Sequence, residues 1–179
     1  MAAMTWPRKF KVAGQPMDEL VTTLQVQSPA LRFTPGSQFC WSPETNEIFY
    51  KAAASNDQAD AWSLLHETGH ALLGHASYKA DFELLRLEIA AWERARQLAQ
   101  TLKIEVDEDH IQDCLDTYRD WLHKRSICPN CTTKCLQQGD FVHYRCFNCH
   151  TVWRVTASRF CRAYRRHAGV PQPASLHLI

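Results

Sequence analysis

Two short stretches hold residues whose types and spacing can do chemistry. The first is His66-Glu67-Thr68-Gly69-His70, an H-E-x-x-H pattern set in the apolar run Leu64 to Leu73. On a helix, residues four apart share a face, so His66 and His70 present two imidazoles to one metal ion. Glu67 is turned off that face, where its carboxylate can take a proton from water at the metal instead of binding the ion. The second stretch holds Cys128-Pro129-Asn130-Cys131 and Cys146-Phe147-Asn148-Cys149, with 14 residues between the pairs. Each C-x-x-C forms a tight turn that aims two thiolates at one ion, and two such turns complete a tetrahedral site. No thioredoxin-like βαβ pattern surrounds the pairs, which argues against a redox dithiol. The expectation is two Zn2+ ions per chain, one catalytic and one structural.

A catalytic zinc needs a third protein ligand and an open position for water. A run starting at Asp81 and ending near Leu102 repeats Phe82, Leu85, Ile89, Trp92 and Leu98 at helical spacing and carries Glu83, Glu88 and Glu93. Glu88 is the preferred ligand, because the small Ala90, Ala91 and Ala95 beside it allow two helices to approach closely. Spacing alone leaves Glu83 and Glu93 as alternatives. A metzincin arrangement is excluded, since it wants Gly three and His six residues after the second His, whereas Gly74 and His75 fall at four and five. His75 is left to support the site or to lie on the surface.

These residues must be positioned by the elements around them. Met17 to Val26 reads as a short amphipathic helix with acids in its first turn. Residues 31–34, 38–41 and 47–50 read as short strands, with turns at Pro35-Gly36 and at Ser42 to Asn46. An antiparallel hairpin just ahead of the metal helix would offer an edge to which a peptide can add as a further strand. A last helix, about Glu108 to Lys124, sets Ile111, Cys114, Leu115, Tyr118, Trp121 and Leu122 on one face, with Asp107 as N-cap, and reads as a lid on the core. Residues 141–145 and 151–155 alternate as strands around the cysteine pairs, the pattern of a zinc ribbon.

The chain has 179 residues, 45% hydrophobic, enough for a medium domain and a small one. No apolar run is long enough to cross a membrane, and the first residues lack a signal-peptide stretch, so a cytoplasmic location is expected and metal is favoured over disulfides. The net charge of +1 conceals an asymmetry: residues 1–120 carry 11 Lys+Arg against 18 Asp+Glu, and residues 121–179 carry 9 against 1. The charge shift places a boundary between a domain over 1–124, a ribbon over 125–158 and a basic, flexible tail over 159–179. Within the tail, Arg159, Arg162, Arg165 and Arg166 alternate with Phe160 and Tyr164, a mixture suited to phosphate contact and base stacking or to an acidic protein face.

The H-E-x-x-H helix followed by Glu88-x-x-Ala91-Trp92-x-x-Ala95 resembles the ImmA/IrrE-type metallopeptidases over residues 15–120. Those proteins carry H-E-x-x-H and then E-x-x-A-(N/D)-x-x-A, and Trp92 stands here at the Asn/Asp position. A weaker likeness is to SprT-type proteases, which also join H-E-x-x-H to a C-terminal ribbon. The resemblance implies an α+β, zincin-like peptidase domain, with a small antiparallel sheet, the H-E-x-x-H helix and packed helices, followed by a four-cysteine zinc ribbon. It implies His66, His70 and Glu88 as ligands, Glu67 as catalytic base, and a protein substrate such as a DNA-binding regulator. The expected function is a zinc-dependent endopeptidase whose ribbon recognises the target. The alternative is a non-catalytic regulatory module that binds a transcription factor or nucleic acid through the ribbon and tail.

Overall fold

The computed structural model describes residues 16–52, 57–155 and the backbone of 166–167. The element order is α1 (Met17–Gln27), β1 (Arg32–Gly36), β2 (Cys40–Ser42), β3 (Glu47–Lys51), α2 (Gln58–Leu72), α3 (Asp81–Leu102), α4 (Glu108–Ser126), β4 (His143–Arg145), β5 (Val152–Arg154) and β6 (Arg166–His167). The α+β class is as expected. Among the described residues, no helix is long and apolar enough to cross a membrane. Two compact units are formed, one from Met1–Ala76 with Ala90–Val106 and one from Ser77–Ile89 with Asp107–Ile179.

In the first unit, the sheet has the order β1-β3-β2. β2 and β3 form the expected antiparallel hairpin, with Trp41 opposite Ile48. Its turn ends at Asn46, whose φ of 56° is a left-handed conformation that Asn tolerates. β1, however, runs parallel to β3, with Phe33 opposite Ile48, so the sheet is mixed and not purely antiparallel. The reason lies at Pro35-Gly36. These residues do not turn the chain back but extend β1, and Gly36 packs so closely on Phe49 that a Cβ there would lie 3.3 Å from the Phe49 Cβ.

Helix α2 begins at Asp57, whose side chain accepts from the Ala59 N–H and satisfies one of the first-turn donors. It ends in a paired C-terminal motif: the His75 N–H donates to the His70 carbonyl and the Gly74 N–H to the Ala71 carbonyl. Gly74 sits at φ 64°, the left-handed position such an ending requires. The inward face of α2 buries Leu64, Leu65, Thr68 and Gly69. A Cβ on Gly69 would fall 2.5 Å from the Ala91 carbonyl oxygen, so α2 and α3 touch there backbone to backbone.

Helix α3 buries Leu84, Glu88, Ala91, Trp92, Ala95 and Leu98. Of the expected apolar stripe, Trp92 and Leu98 do face inward, whereas Phe82 and Ile89 are exposed. The true inward stripe contains a carboxylate and two alanines, which a hydrophobic count passes over.

The second unit contains α4 and the ribbon. In this unit α4 falls together with the cysteine module. Arg125 ties the two together. It is 5% exposed, its Nε and Nη2 donate to the two Asp81 carboxylate oxygens at 2.6 and 3.0 Å, and it lies over the Trp121 ring. The Tyr144 hydroxyl donates to the same carboxylate at 2.6 Å, and Trp153 Nε1 donates to the Arg125 carbonyl at 3.0 Å. A residue that counted only toward the basic balance of 121–179 is thus the hub that joins α3, α4, β4 and β5. β4 pairs antiparallel with β5, and the backbone of Arg166–His167 pairs antiparallel with β5 as a third strand. Arg159, Arg162 and Arg165 lie outside the described residues.

The Gly69 contact yields a direct test. Gly69→Ala forces the Ala91 backbone to move and is expected to lower stability by about 1–3 kcal/mol, read as a fall in thermal midpoint, despite the better helix propensity of alanine.

Candidate metal centres

The Gly69–Ala91 approach places the two helices so that three side chains converge. His66 Nε2 and His70 Nε2 lie 3.1 Å apart. With one carboxylate oxygen of Glu88, they form a cluster whose ligand atoms all lie within 4.8 Å of one another. Two imidazole nitrogens on one tetrahedral ion, bonded at 2.0–2.1 Å, would stand about 3.3 Å apart. Glu88 is 3% exposed, and a cation shared with the two imidazoles would favour its buried carboxylate in the charged form. The donor set and its spacing therefore fit a metal ion. Glu88 is the glutamate that meets the histidines. Glu83 instead accepts from the Lys79 and Ala80 N–H groups at the start of α3, which lowers its pKa, and Glu93 pairs with Arg96 on the surface.

The histidines are held from behind. Trp92 stacks on the His66 ring, with centroids 4.3 Å apart and planes at 29°. Trp92 thus supplies an aromatic wall behind His66. On the other ligand, His75 Nδ1 lies 2.8 Å from His70 Nδ1. An Nε2 turned to a metal leaves the His70 Nδ1–H as donor and His75 Nδ1 as acceptor. The paired C-terminal bonds of α2 fold His75 back to this place. Gly74 four residues after His70 was the signal, and it was legible as a helix-ending glycine.

Glu67 is half-buried and not among the converging ligand atoms. Its Oε2 accepts from the backbone N–H of Trp41 at 2.8 Å, so the outward donor of strand β2 is engaged by this carboxylate. Trp41 also donates its indole N–H to the His75 carbonyl at 2.6 Å. One residue of the edge strand therefore fixes both Glu67 and the partner of His70. Sequence reasoning missed Trp41, because no spacing rule connects a strand residue to a helix 26 positions away.

The second centre comprises Cys128, Cys131, Cys146 and Cys149. Sγ atoms stand 3.5 Å apart for Cys128 and Cys149 and 3.4 Å for Cys131 and Cys146. A disulfide needs about 2.05 Å, and all four thiols are free. Four thiolates on one ion, bonded at about 2.3 Å, would be about 3.8 Å apart, close to what is seen. The two turns have the same backbone. Cys128 N–H donates to Thr133 and Thr132 N–H to Cys128; Cys146 N–H donates to Thr151 and His150 N–H to Cys146. Thr132 and His150 both take φ 59°.

Local chemistry moves the thiols in opposite directions. The Thr151 hydroxyl and backbone bring Cys149 down to about 5, whereas burial pushes Cys128 up to about 11. A cation facing all four would favour the thiolate throughout. Cys135 packs against this cluster without being one of its four members, buried and donating to the Thr133 carbonyl. The module's core is Tyr144, Trp153 and Val155 around these cysteines. That is little apolar mass, so a metal would supply much of its folding free energy.

No protein-family model, curated protein or solved structure matches this chain. The two centres therefore stand on their geometry.

Two outcomes are expected. Elemental analysis should give two metal equivalents per chain, falling to one in His66→Ala/His70→Ala. His75→Ala should keep the fold but weaken metal affinity at the histidine centre by about 10- to 100-fold, as loss of an outer partner does elsewhere, measured by competition with a chromophoric chelator.

Proposed function

We propose that the chain is a zinc-dependent endopeptidase with a zincin-like catalytic unit. The observation that carries this reading is the arrangement around α2: two imidazole nitrogens and one buried carboxylate oxygen gathered within 4.8 Å, with Glu67 on the next position of the same helix. Nitrogen and carboxylate donors in this number suit zinc with a position left open. The likeness of these motifs to the ImmA/IrrE-type metallopeptidases supports the same reading, and the four-thiolate geometry supports a structural zinc in the ribbon.

A zinc ion held there would supply Lewis acidity, polarising a peptide carbonyl and acidifying water. The residues of the chain do the rest. His66, His70 and Glu88 hold the ion, with Trp92 and His75 fixing the two rings. Glu67 takes a proton from the attacking water and passes it to the leaving amine. In the resting site Glu67 accepts from the Trp41 N–H. A substrate strand lying along β2 would offer a carbonyl to that N–H in its place and so release the carboxylate to act as base.

The test is Glu67→Gln, loaded with zinc and mixed with unfolded polypeptides, with new chain termini counted by mass spectrometry. Wild-type protein is expected to generate termini at defined positions. The variant should retain its metal and lose about 10²- to 10⁴-fold in rate. Equal cleavage by both proteins, or none by the zinc-loaded wild type, would remove the peptidase reading and leave a binding module.

A further inference from the structure

A groove in the second unit is used by neither metal centre. Its volume is about 490 Å³, within the range of sites that hold ligands, and its lining includes Phe82, Leu122, Lys134, Leu136, Arg145 and Phe147. Phe82, Leu136 and Phe147 are 54%, 83% and 73% exposed, a concentration of large apolar side chains unusual on a surface that meets only water. The inner wall is rigid. Tyr144 and Cys135 are buried there, Tyr144 tied to Asp81 and Cys135 next to the four-thiolate turns. Among the described residues, the charged side chains of the lining are Lys134 and Arg145, both exposed, and none is a carboxylate. Its polar amides are already engaged: Gln137 accepts from the Asp81 N–H and donates to the Phe141 carbonyl, and Gln138 donates to the Leu136 carbonyl.

We infer that this groove docks a partner protein through an acidic segment bearing one large apolar side chain. The apolar anchor fills the cavity between Phe82, Leu136 and Phe147, and flanking carboxylates meet Lys134 and Arg145. Apolar anchors in a preformed pocket carry most of the energy of such contacts, while rim charges choose the partner and its orientation. Nucleic acid fits less well, because a phosphate backbone calls for a track of cations and the groove offers two among apolar walls. The inference is read out by binding and stands whether or not the histidine centre cleaves peptides.

A randomised peptide display library panned on the full chain, in the Glu67→Gln background so that no peptide is cut, tests it. Selected peptides should be enriched in Phe, Leu or Trp flanked by Asp and Glu. Their affinity, measured by fluorescence anisotropy, should fall at least tenfold with Leu136→Ser/Phe147→Ser and with Lys134→Glu/Arg145→Glu. A peptide with lysines in place of its acids should recover binding to the charge-reversed protein. All four side chains are exposed, so circular dichroism and metal content should not change. If a variant does fold poorly, chemical-shift mapping of the selected peptide on the unsubstituted groove gives the same decision. Selection without acidic-apolar enrichment, or binding indifferent to both variants, would overturn the proposal. So would self-association abolished by Phe147→Ser, which would make a second copy the occupant, or tighter binding after removal of residues 157–179, which would make it the chain's own tail. Equal dependence on these residues for a single-stranded oligonucleotide would do so in favour of nucleic acid.

Discussion

The two imidazoles and the carboxylate meet where α2 and α3 come closer than ordinary side chains permit. Packed helix axes usually stand 8–10 Å apart, with side chains filling the gap. Here α2 brings Gly69 against the Ala91 carbonyl, and no Cβ fits between them. The histidines flank that glycine in sequence, so the point of closest approach and the ligand face coincide. Ala91 and Ala95 keep the facing surface of α3 low, and Glu88, one turn before Ala91, is left facing inward. Trp92 then closes the space beside His66. The missing side chain of Gly69 and the converging side chains lie at the same crossing of the two helices.

The second unit answers a different difficulty. A module with so few apolar residues cannot meet the entropy of ordering its chain by burial alone. The four thiols suggest one source of free energy, and the Asp81–Arg125–Tyr144 network suggests a use for another. A buried ion pair contributes little net stability against an apolar substitute, because both charges lose their water. What it does impose is geometry, since removing either partner strands a charge. Arg125 uses its guanidinium, its ring contact and its carbonyl at once, which fixes α4 and the ribbon strands in one arrangement.

Much of this was legible in the sequence wherever chemistry follows from spacing. His66 and His70 four apart, and two C-x-x-C pairs, are read through local geometry that the helix and the turn guarantee. The third partner was legible only as a preference, because three glutamates share α3 and their facing depends on packing. The stripe through Phe82 and Ile89 misled, because hydrophobicity was taken as a guide to a face that had to be small and charged instead. The parallel pairing of β1 was hidden, since Pro35-Gly36 has the composition of a turn but the conformation of a strand. Trp41 and Arg125 were hidden for a further reason: their roles come from partners 26 and 44 positions away, and their residue types suggest an ordinary strand and an ordinary basic surface.

The small sheet has two margins, and each is closed in its own way. An exposed strand edge is a template on which another copy can pair, and the pairing can propagate. β1 carries Pro35, which has no N–H to give, at the position opposite Tyr50. β2 is three residues long, and the outward N–H of Trp41 is already given to Glu67. A neighbouring molecule in concentrated solution therefore finds no free row of donors, and any strand that adds to β2 must first displace the Glu67 carboxylate from the Trp41 N–H. The contact that holds the carboxylate in place also guards the sheet against polymerisation.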